Sequence, residues 1–511
     1  MREFFREHMA VTRMSAGVCL FVILLLANGQ RVQAGGVVGN GTPGSCTEIA
    51  LTAALVGGGT VTFNCGAAPK VIPVSVAQSI AADTVIDGNN KITLDGGGTA
   101  PFYQVFSGNR LVLRNLTLTR GGFTGMHALE NFGTLVMERV VFQNTTTTES
   151  ALQNFGTLEV TNSQFRGLQD TDGGKGGAIY SDSGSVTIAN SSFTNNGILT
   201  NLHLGGAIVI DNGYLTVTNS TFSGNLAFDG GAVYVDTTGN AFFERVTFSG
   251  NRAGYGAAIE TRGVRVIVHD STFVANTASV GDGGAIWMLG GDLDVVASQF
   301  HRNTATTTGG GVSCYSSNVS IISSSLISNT AGTDGGAIYS TCGLNLTNNT
   351  ISQNRAAAGG GIFQAGSGFA SASYQTIANN SATTFGGGVY NNDAGGATLS
   401  IEKSILVNNN VGNCDGVITS GGYNLTQGTM CGGLTLGTDQ QNQSLPLGPA
   451  RNNGGLTLTR LPLAGNAAIN FIPSGLCGFS EDQRGTVRPS GSGCDAGAVE
   501  VVSAFLPFVD R

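Results

Sequence analysis

The chain has 511 residues, a formal net charge of −8, 41% hydrophobic residues, 11% charged residues and 79 glycines. That apolar content excludes a disordered chain, and glycine without a triplet period excludes collagen. A dispersed acidic excess excludes a nucleic-acid binder and suits anionic membrane surfaces poorly, which leaves one long repeat domain or several ordinary ones.

In chain order, residues 1–34 read as a secretory signal. Arg2, Arg6 and Arg13 precede an apolar run from Ala16 to Ala27, and Val32-Gln33-Ala34 offers small residues for cleavage. The run is short for a bilayer span of ~20 residues, and no later segment can cross a membrane as a helix. Beyond Cys19 the cysteines form an even set: Cys46, Cys65, Cys314, Cys342, Cys414, Cys431, Cys477 and Cys494. Export with an even count predicts disulfides, and sequence neighbours suggest Cys46–Cys65, Cys314–Cys342, Cys414–Cys431 and Cys477–Cys494. The spacings lack the close pairs of a zinc site.

Residues 35–59 read as an N-terminal cap, with a short helix from Cys46 to Leu55. Strands follow from near Thr60, including Thr84-Val85-Ile86 and Ile92-Thr93-Leu94. The middle of the chain is self-similar. Gly-Gly-(Ala/Gly)-(Ile/Val) begins at Gly176, Gly205, Gly230, Gly283, Gly309, Gly335, Gly359 and Gly386, and at Gly256 with one Ala replacement. In phase with it runs an apolar residue with Asn three later: Phe193/Asn196, Phe222/Asn225, Phe248/Asn251, Phe273/Asn276 and Phe300/Asn303. The series continues as Leu326/Asn329, Ile351/Asn354, Ile377/Asn380 and Ile405/Asn408.

A period of about 26 residues means a solenoid or array. Gly, Asn, Ser and Thr interrupt every stretch and disfavour helical repeats, while a propeller blade needs about forty residues. The reading is an all-β, single-stranded right-handed parallel β-helix over 60–410, with three short strands per coil. The Gly pair supplies a positive-φ turn, the Ile/Val and Phe columns fill the core, and the Asn takes the left-handed corner and bonds along the stack. Roughly fourteen coils at ~4.8 Å make a rod of about 65 Å.

Residues 411–500 read as a C-terminal capping segment and 501–511 as a tail. The paired Gly-Gly-Ala-Ile and Phe-x-x-Asn repeats from Gly176 to Asn408 resemble those of polymorphic outer membrane proteins. That resemblance implies a bacterial β-helix, secreted or at the cell surface (including the outer membrane), with an adhesin-like role. Asn453-Gly454-Gly455-Leu456-Thr457-Leu458-Thr459, Asp482-Gln483-Arg484-Gly485, Arg488-Pro489 and Cys494-Asp495-Ala496-Gly497-Ala498-Val499-Glu500 resemble the ending of choice-of-anchor Q proteins. Only Val501 to Arg511 follow, where autotransporters carry a membrane barrel. The expectation is therefore release from the cell or non-covalent retention on it.

Alternation assigns an outward column after each Gly pair: Tyr180, Val209, Tyr234, Glu260, Trp287, Ser313, Tyr339, Phe363 and Tyr390. Its aromatic members form a candidate ligand-binding face, since rings stack on sugars. The same rings also explain themselves as cross-strand stacking at rung spacing. Two residues further, Asp182, Asp211 and Asp236 precede Arg262. Such an acid column suggests a Ca²⁺ site, or exposed acids screened by water and salt. Asp236, Glu260, Arg262 and Arg265 are the candidate set for a polysaccharide lyase, although an Asp236–Arg262 ion pair accounts for them more simply. His203, His269 and His301 read as separate surface residues. No catalytic constellation is complete, and no cofactor is implied. The expected function is non-enzymatic binding of a polysaccharide or other surface component through the aromatic face. The alternatives are a secreted lyase or related carbohydrate-active enzyme, and a structural stalk.

Overall fold

The computed structural model describes residues 35–502 except 123–124, 173–174, 199–202, 237 and 429–430. The expected signal segment with Cys19, and the last nine residues of the expected tail, lie outside the described residues.

From Val233 to Val407 short strands recur because each Gly, Asn or Ser turn ends one after two to five residues, whereas upstream the chain bends within longer strands such as Thr84–Ala100. Coils stack because each strand alone buries only one row of apolar side chains. One coil is Ile259–Arg262, Arg265–His269 and Thr272–Val274, and the next is Ile286–Leu289, Asp292–Val296 and Gln299–His301. Pairing between them is parallel and in register: Ile259↔Ile286, Val266↔Leu293 and Phe273↔Phe300. The chain is thus a parallel β-solenoid of about 14 turns. In four middle coils a two-residue strand, as at Thr277–Ala278, adds a fourth ladder to the expected three. Parallel pairing continues to Leu399↔Ile418 and Ile405↔Leu425. Among the described residues, no helix is long and apolar enough to cross a membrane.

Aromatic and polar columns share the interior. Phe165, Phe193, Phe222, Phe248, Phe273 and Phe300 are fully buried, with successive centroids 4.6–5.1 Å apart and near-parallel rings. Strand spacing imposes that distance. The two glycines of each pair serve different needs. Gly283 has φ +68°, whereas a Cβ on Gly284 would stand 2.1 Å from the Gly310 carbonyl oxygen of the next coil. The positive φ expected at the ladder asparagines falls one residue earlier, at Asn195, Ala275, Arg302 and Ser328, for example. The ladder asparagines instead bond between coils: Asn276 Nδ2 donates to Asn303 Oδ1 (2.9 Å) and to the Phe248 carbonyl (3.0 Å). At the end of the series Leu406 pairs with Ile377, so Asn409 carries the ladder and Asn408 takes the left-handed turn. A second ladder, missed in the sequence, runs through the serine two residues before most of these Phe residues, with Val246 standing in before Phe248. Ser271 N donates to Ser298 Oγ and Ser298 N to Ser324 Oγ, both at 3.1 Å.

Both ends of the solenoid are covered. Helix Glu48–Leu55 lies over the first coil, and the Glu48 carboxylate accepts from the backbone N–H groups of Ser75 and Val76. All four expected disulfides are present, Cys46–Cys65, Cys314–Cys342, Cys414–Cys431 and Cys477–Cys494. The C-terminal segment also folds back along the flank of the rod. Gln483 reaches Ser324 and Thr350, and Tyr374 donates to the Cys477 carbonyl. Tyr374, Ile405, Leu425, Ile472 and Ala496 belong to a second apolar cluster there.

Within that segment Asp495 is 1% exposed. Burial, opposed by backbone N–H groups of Asn470 and Val501, leaves its pKa raised to about 6 from 3.8. The unfolded chain releases this proton first. Stability is therefore expected to fall as pH rises from about 3.8 to about 6, by on the order of 3 kcal/mol. Amide exchange in residues 470–500 checks this: the local pH slope should flatten in Asp495→Asn, and an unchanged slope would remove Asp495 as its source.

Candidate functional site

The Gly-pair strands form one face along the rod, and three side-chain columns line it. The central column is the one expected from alternation, and pairing confirms its register: Tyr180↔Val209, Val209↔Tyr234, Tyr234↔Glu260, Glu260↔Trp287, Trp287↔Ser313, Ser313↔Tyr339, Tyr339↔Phe363 and Phe363↔Tyr390. Tyr180, Tyr234 and Phe363 are buried, whereas Trp287, Tyr339 and Tyr390 are half-buried. The second column follows two residues later and holds Arg262, Leu289 and Tyr315. The third lies in the turn just before each Gly pair and holds Asp229, Tyr255, Asp282, Asp334 and Phe385. Nothing in the alternation pointed to it, although an acid or aromatic before the Gly pair is visible once the coils are aligned.

The three columns join into one chain of rings. Phe228–Tyr255, Tyr255–Trp287, Trp287–Tyr315, Tyr315–Tyr339, Tyr339–Phe363 and Phe363–Tyr390 have centroids 5.2–6.2 Å apart, and Phe385 stacks on Tyr390 at 5.3 Å. Tyr180 and Tyr234 stand apart, packed with Val209 and Leu204. Towards the N-terminal end the same face carries exposed Phe132 stacked on Phe155 at 5.1 Å. Beside them is a depression of about 350 Å³ lined by Asp83, Asn109, Arg110 and Phe132.

In the middle of this face lies a charged cluster. Arg262, 40% exposed, pairs with Glu260 (2.8 Å) and Asp229 (3.1 Å), where the sequence had suggested Asp236. The reason is geometric: Glu260 and Arg262 share a face at i and i+2, and Asp229 reaches them from the neighbouring turn. The Arg262 guanidinium lies 5.5 Å from the Tyr234 ring centroid and 5.6 Å from that of Trp287. Burial pushes Glu260 well above the usual carboxylate range, and nearby Asp229 adds to this. Its Oε2 is buried without a hydrogen-bond partner, while Oε1 accepts from Arg262. Burial also raises Asp229, against the Arg262 charge. Arg265 lies past the Gly263 turn on the next strand and pairs with Asp294 at 2.7 Å.

The expected acid stack is interrupted. A bulge after Ser181 sets Asp182 opposite Asn212, whose Nδ2 donates to it at 3.1 Å, and Asp211 accepts from the Tyr180 hydroxyl at 2.9 Å. Among the described residues, no three His, Cys, Asp or Glu side chains gather as metal ligands, and Asp182, Asp211 and Asp236 form no such group. His203, expected at the surface, is buried, and burial lowers its imidazole pKa. His269 and His301 are half-buried and lowered for the same reason.

No curated protein matches the chain. Among solved structures, the crystal structure of tailspike protein 3 of bacteriophage CBA120 aligns at 13% identity with a TM-score of 0.35, covering 79% of this chain and 57% of that one. This chain thus spans little more than half the length of that protein. The family described as the right handed beta helix region matches residues 102–273 and 205–382, which together exceed half of the 511 residues. With its parallel, in-register coils, the chain belongs to that right-handed β-helix family.

Proposed function

We propose that this chain is an extracytoplasmic β-helix that binds a glycan along its Gly-pair face, in an adhesin-like, non-enzymatic role. The observation that carries the reading is the continuous chain of rings from Phe228 to Phe385, most of them half-buried with part of each ring open to solvent. A row of ring faces and edges parallel to a rod suits an extended polymer of sugar rings, because each ring offers apolar area next to polar groups. Four disulfides fit an oxidising compartment.

The enzymatic alternative is less well supported by the same face. A lyase base must touch its substrate, yet Glu260 is 0% exposed and Arg262 is already paired with two carboxyl groups. Trp287 is the only tryptophan, so its fluorescence reports on the face directly. Titration against a polysaccharide panel is expected to shift that fluorescence for at least one member. Tyr339→Ala should weaken the retention of that glycan about tenfold, the worth of one well-stacked ring. Unsaturated products from a uronate polymer would establish the lyase instead, and no retention of any glycan would leave the stalk.

A further inference from the structure

The face changes character towards the N-terminal end of the rod. Gln104, Glu130 and Gln153 continue the central column there, paired as Gln104↔Glu130↔Gln153, and Gln104 Nε2 donates to Glu130 Oε2 at 2.7 Å. Two residues after each of them stands a phenylalanine: Phe106, Phe132 and Phe155, all exposed. On this stretch polar groups hold the central column and the rings move to the second. Asp182 takes the next place in that second column, so these rings do not run on into the chain that starts at Phe228.

At Phe132 this stretch forms a cavity. Phe155, on the following coil, stacks on one side of the Phe132 ring at 5.1 Å, with the planes 8° apart. Towards the preceding coils lies the depression of about 350 Å³, whose walls include Phe132, Asp83, Asn109, Arg110 and Thr134. Arg110 pairs with Thr134 on the next rung, and its N–H donates to Asp83 Oδ1 at 2.9 Å. Three successive coils therefore build one site. Its volume lies at the small end of the ~300–1,000 Å³ range of ligand sites, which suits a single sugar ring.

Asp83 and Arg110 bring opposite charges to the depression, and among the described residues neither forms an ion pair. A carboxylate only accepts, a guanidinium only donates, and the Asn109 amide does both. Hydroxyl groups donate and accept, so they can satisfy all three, while the apolar C–H face of a pyranose fits an aromatic ring. A sugar carboxylate would meet Asp83 and a sugar ammonium would meet Arg110, so the balance of charge selects an uncharged sugar. We propose that this depression is a second binding site, for a single uncharged pyranose stacked on the open side of Phe132. Its hydroxyls donate to Asp83 and accept from Arg110 and Asn109. The site is eight coils from Tyr339, about 40 Å along the rod at the strand spacing, and so is separate from the ring chain.

The test is saturation-transfer difference NMR on the full chain with the methyl glycosides of glucose, galactose, mannose, glucuronic acid and glucosamine. At least one of the three uncharged glycosides is expected to bind, and more tightly than the two charged ones. Phe132→Ala should weaken that binding about tenfold, and Phe132→Tyr, which keeps the ring, should restore it. Arg110→Ala should weaken it as well. Absence of binding by all three uncharged glycosides would overturn the site, as would binding that survives Phe132→Ala. Binding lost in Tyr339→Ala but kept in Phe132→Ala would move the sugar to the ring chain, which overturns this site and leaves the glycan reading standing. Tighter binding of the glucuronoside or the glucosaminide would overturn the uncharged assignment. A doubled mass in light scattering that Phe132→Ala abolishes would show a contact between two copies, and it too overturns the site.

Discussion

Asn303→Ala is expected to destabilise the middle coils by about 3–5 kcal/mol. The side chain is fully buried and uses its whole bonding capacity. Its Oδ1 accepts from Asn276 N (3.1 Å) and Asn276 Nδ2 (2.9 Å), and its Nδ2 donates to Asn329 Oδ1 (2.9 Å) and the Phe273 carbonyl (3.0 Å). Alanine would leave two buried donors and two acceptors short of a partner, in an interior that admits no replacement of amide shape. Because each coil contacts only its neighbours, loss should be local before it is global. Amide exchange should show deprotection centred on residues 272–330, with the N-terminal coils unchanged. Protection there equal to wild type would mean that the ladder is not what holds the coils together.

Arg488→Ala is expected to release the C-terminal segment from the flank of the rod, at a cost of about 3–5 kcal/mol. Arg488 and Glu500 form an ion pair at 2.9 Å with side chains 0% and 1% exposed. Arg488 also donates to the carbonyls of Asp495 and Gly497, both at 2.8 Å, and lies 4.1 Å from the Tyr374 ring centroid. Removing it strands the Glu500 carboxylate in the interior, though that carboxylate keeps the backbone N–H groups of Ser490 and Asp495. The measurement is limited proteolysis with exchange mapping. New cleavage between about 430 and 500 is expected, with protection of the Phe stack retained. Resistance equal to wild type would show that the disulfide and apolar cluster dock the segment without the ion pair.

Much of this molecule was legible in its sequence because a β-helix repeats the same local physics in every coil. The Gly pair needs one residue with positive φ and one without a Cβ, so Gly283-Gly284 and its equivalents mark the start of each face strand. Strand alternation from that mark placed Tyr180, Trp287, Tyr339 and Tyr390 in one column, and the pairing register agrees. Cysteine order suggested the four disulfides, and of these Cys314 and Cys342, about one coil apart, come to lie on adjacent rungs.

What the sequence could not settle were contacts without a period. Asp229 and Asp282 sit in turns of variable length, where no alternation assigns a side, so only the stacked coils bring them beside Arg262 and Tyr315. Among three successive asparagines, Asn408 to Asn410, spacing placed the last ladder position at Asn408, and the pairing of Ile377 with Leu406 moves it to Asn409. The one-residue bulge that separates Asp182 from Asp211 leaves no mark in composition, because it arises from how two coils of unequal turns must stack. The sequence by itself determined the repeat and the core columns, which follow from short-range spacing, and cysteine order suggested the disulfides that the structure contains. The tertiary structure alone decided which rings meet, which carboxyl groups pair with Arg262, and where the C-terminal segment docks, because those depend on side chains brought together from different coils.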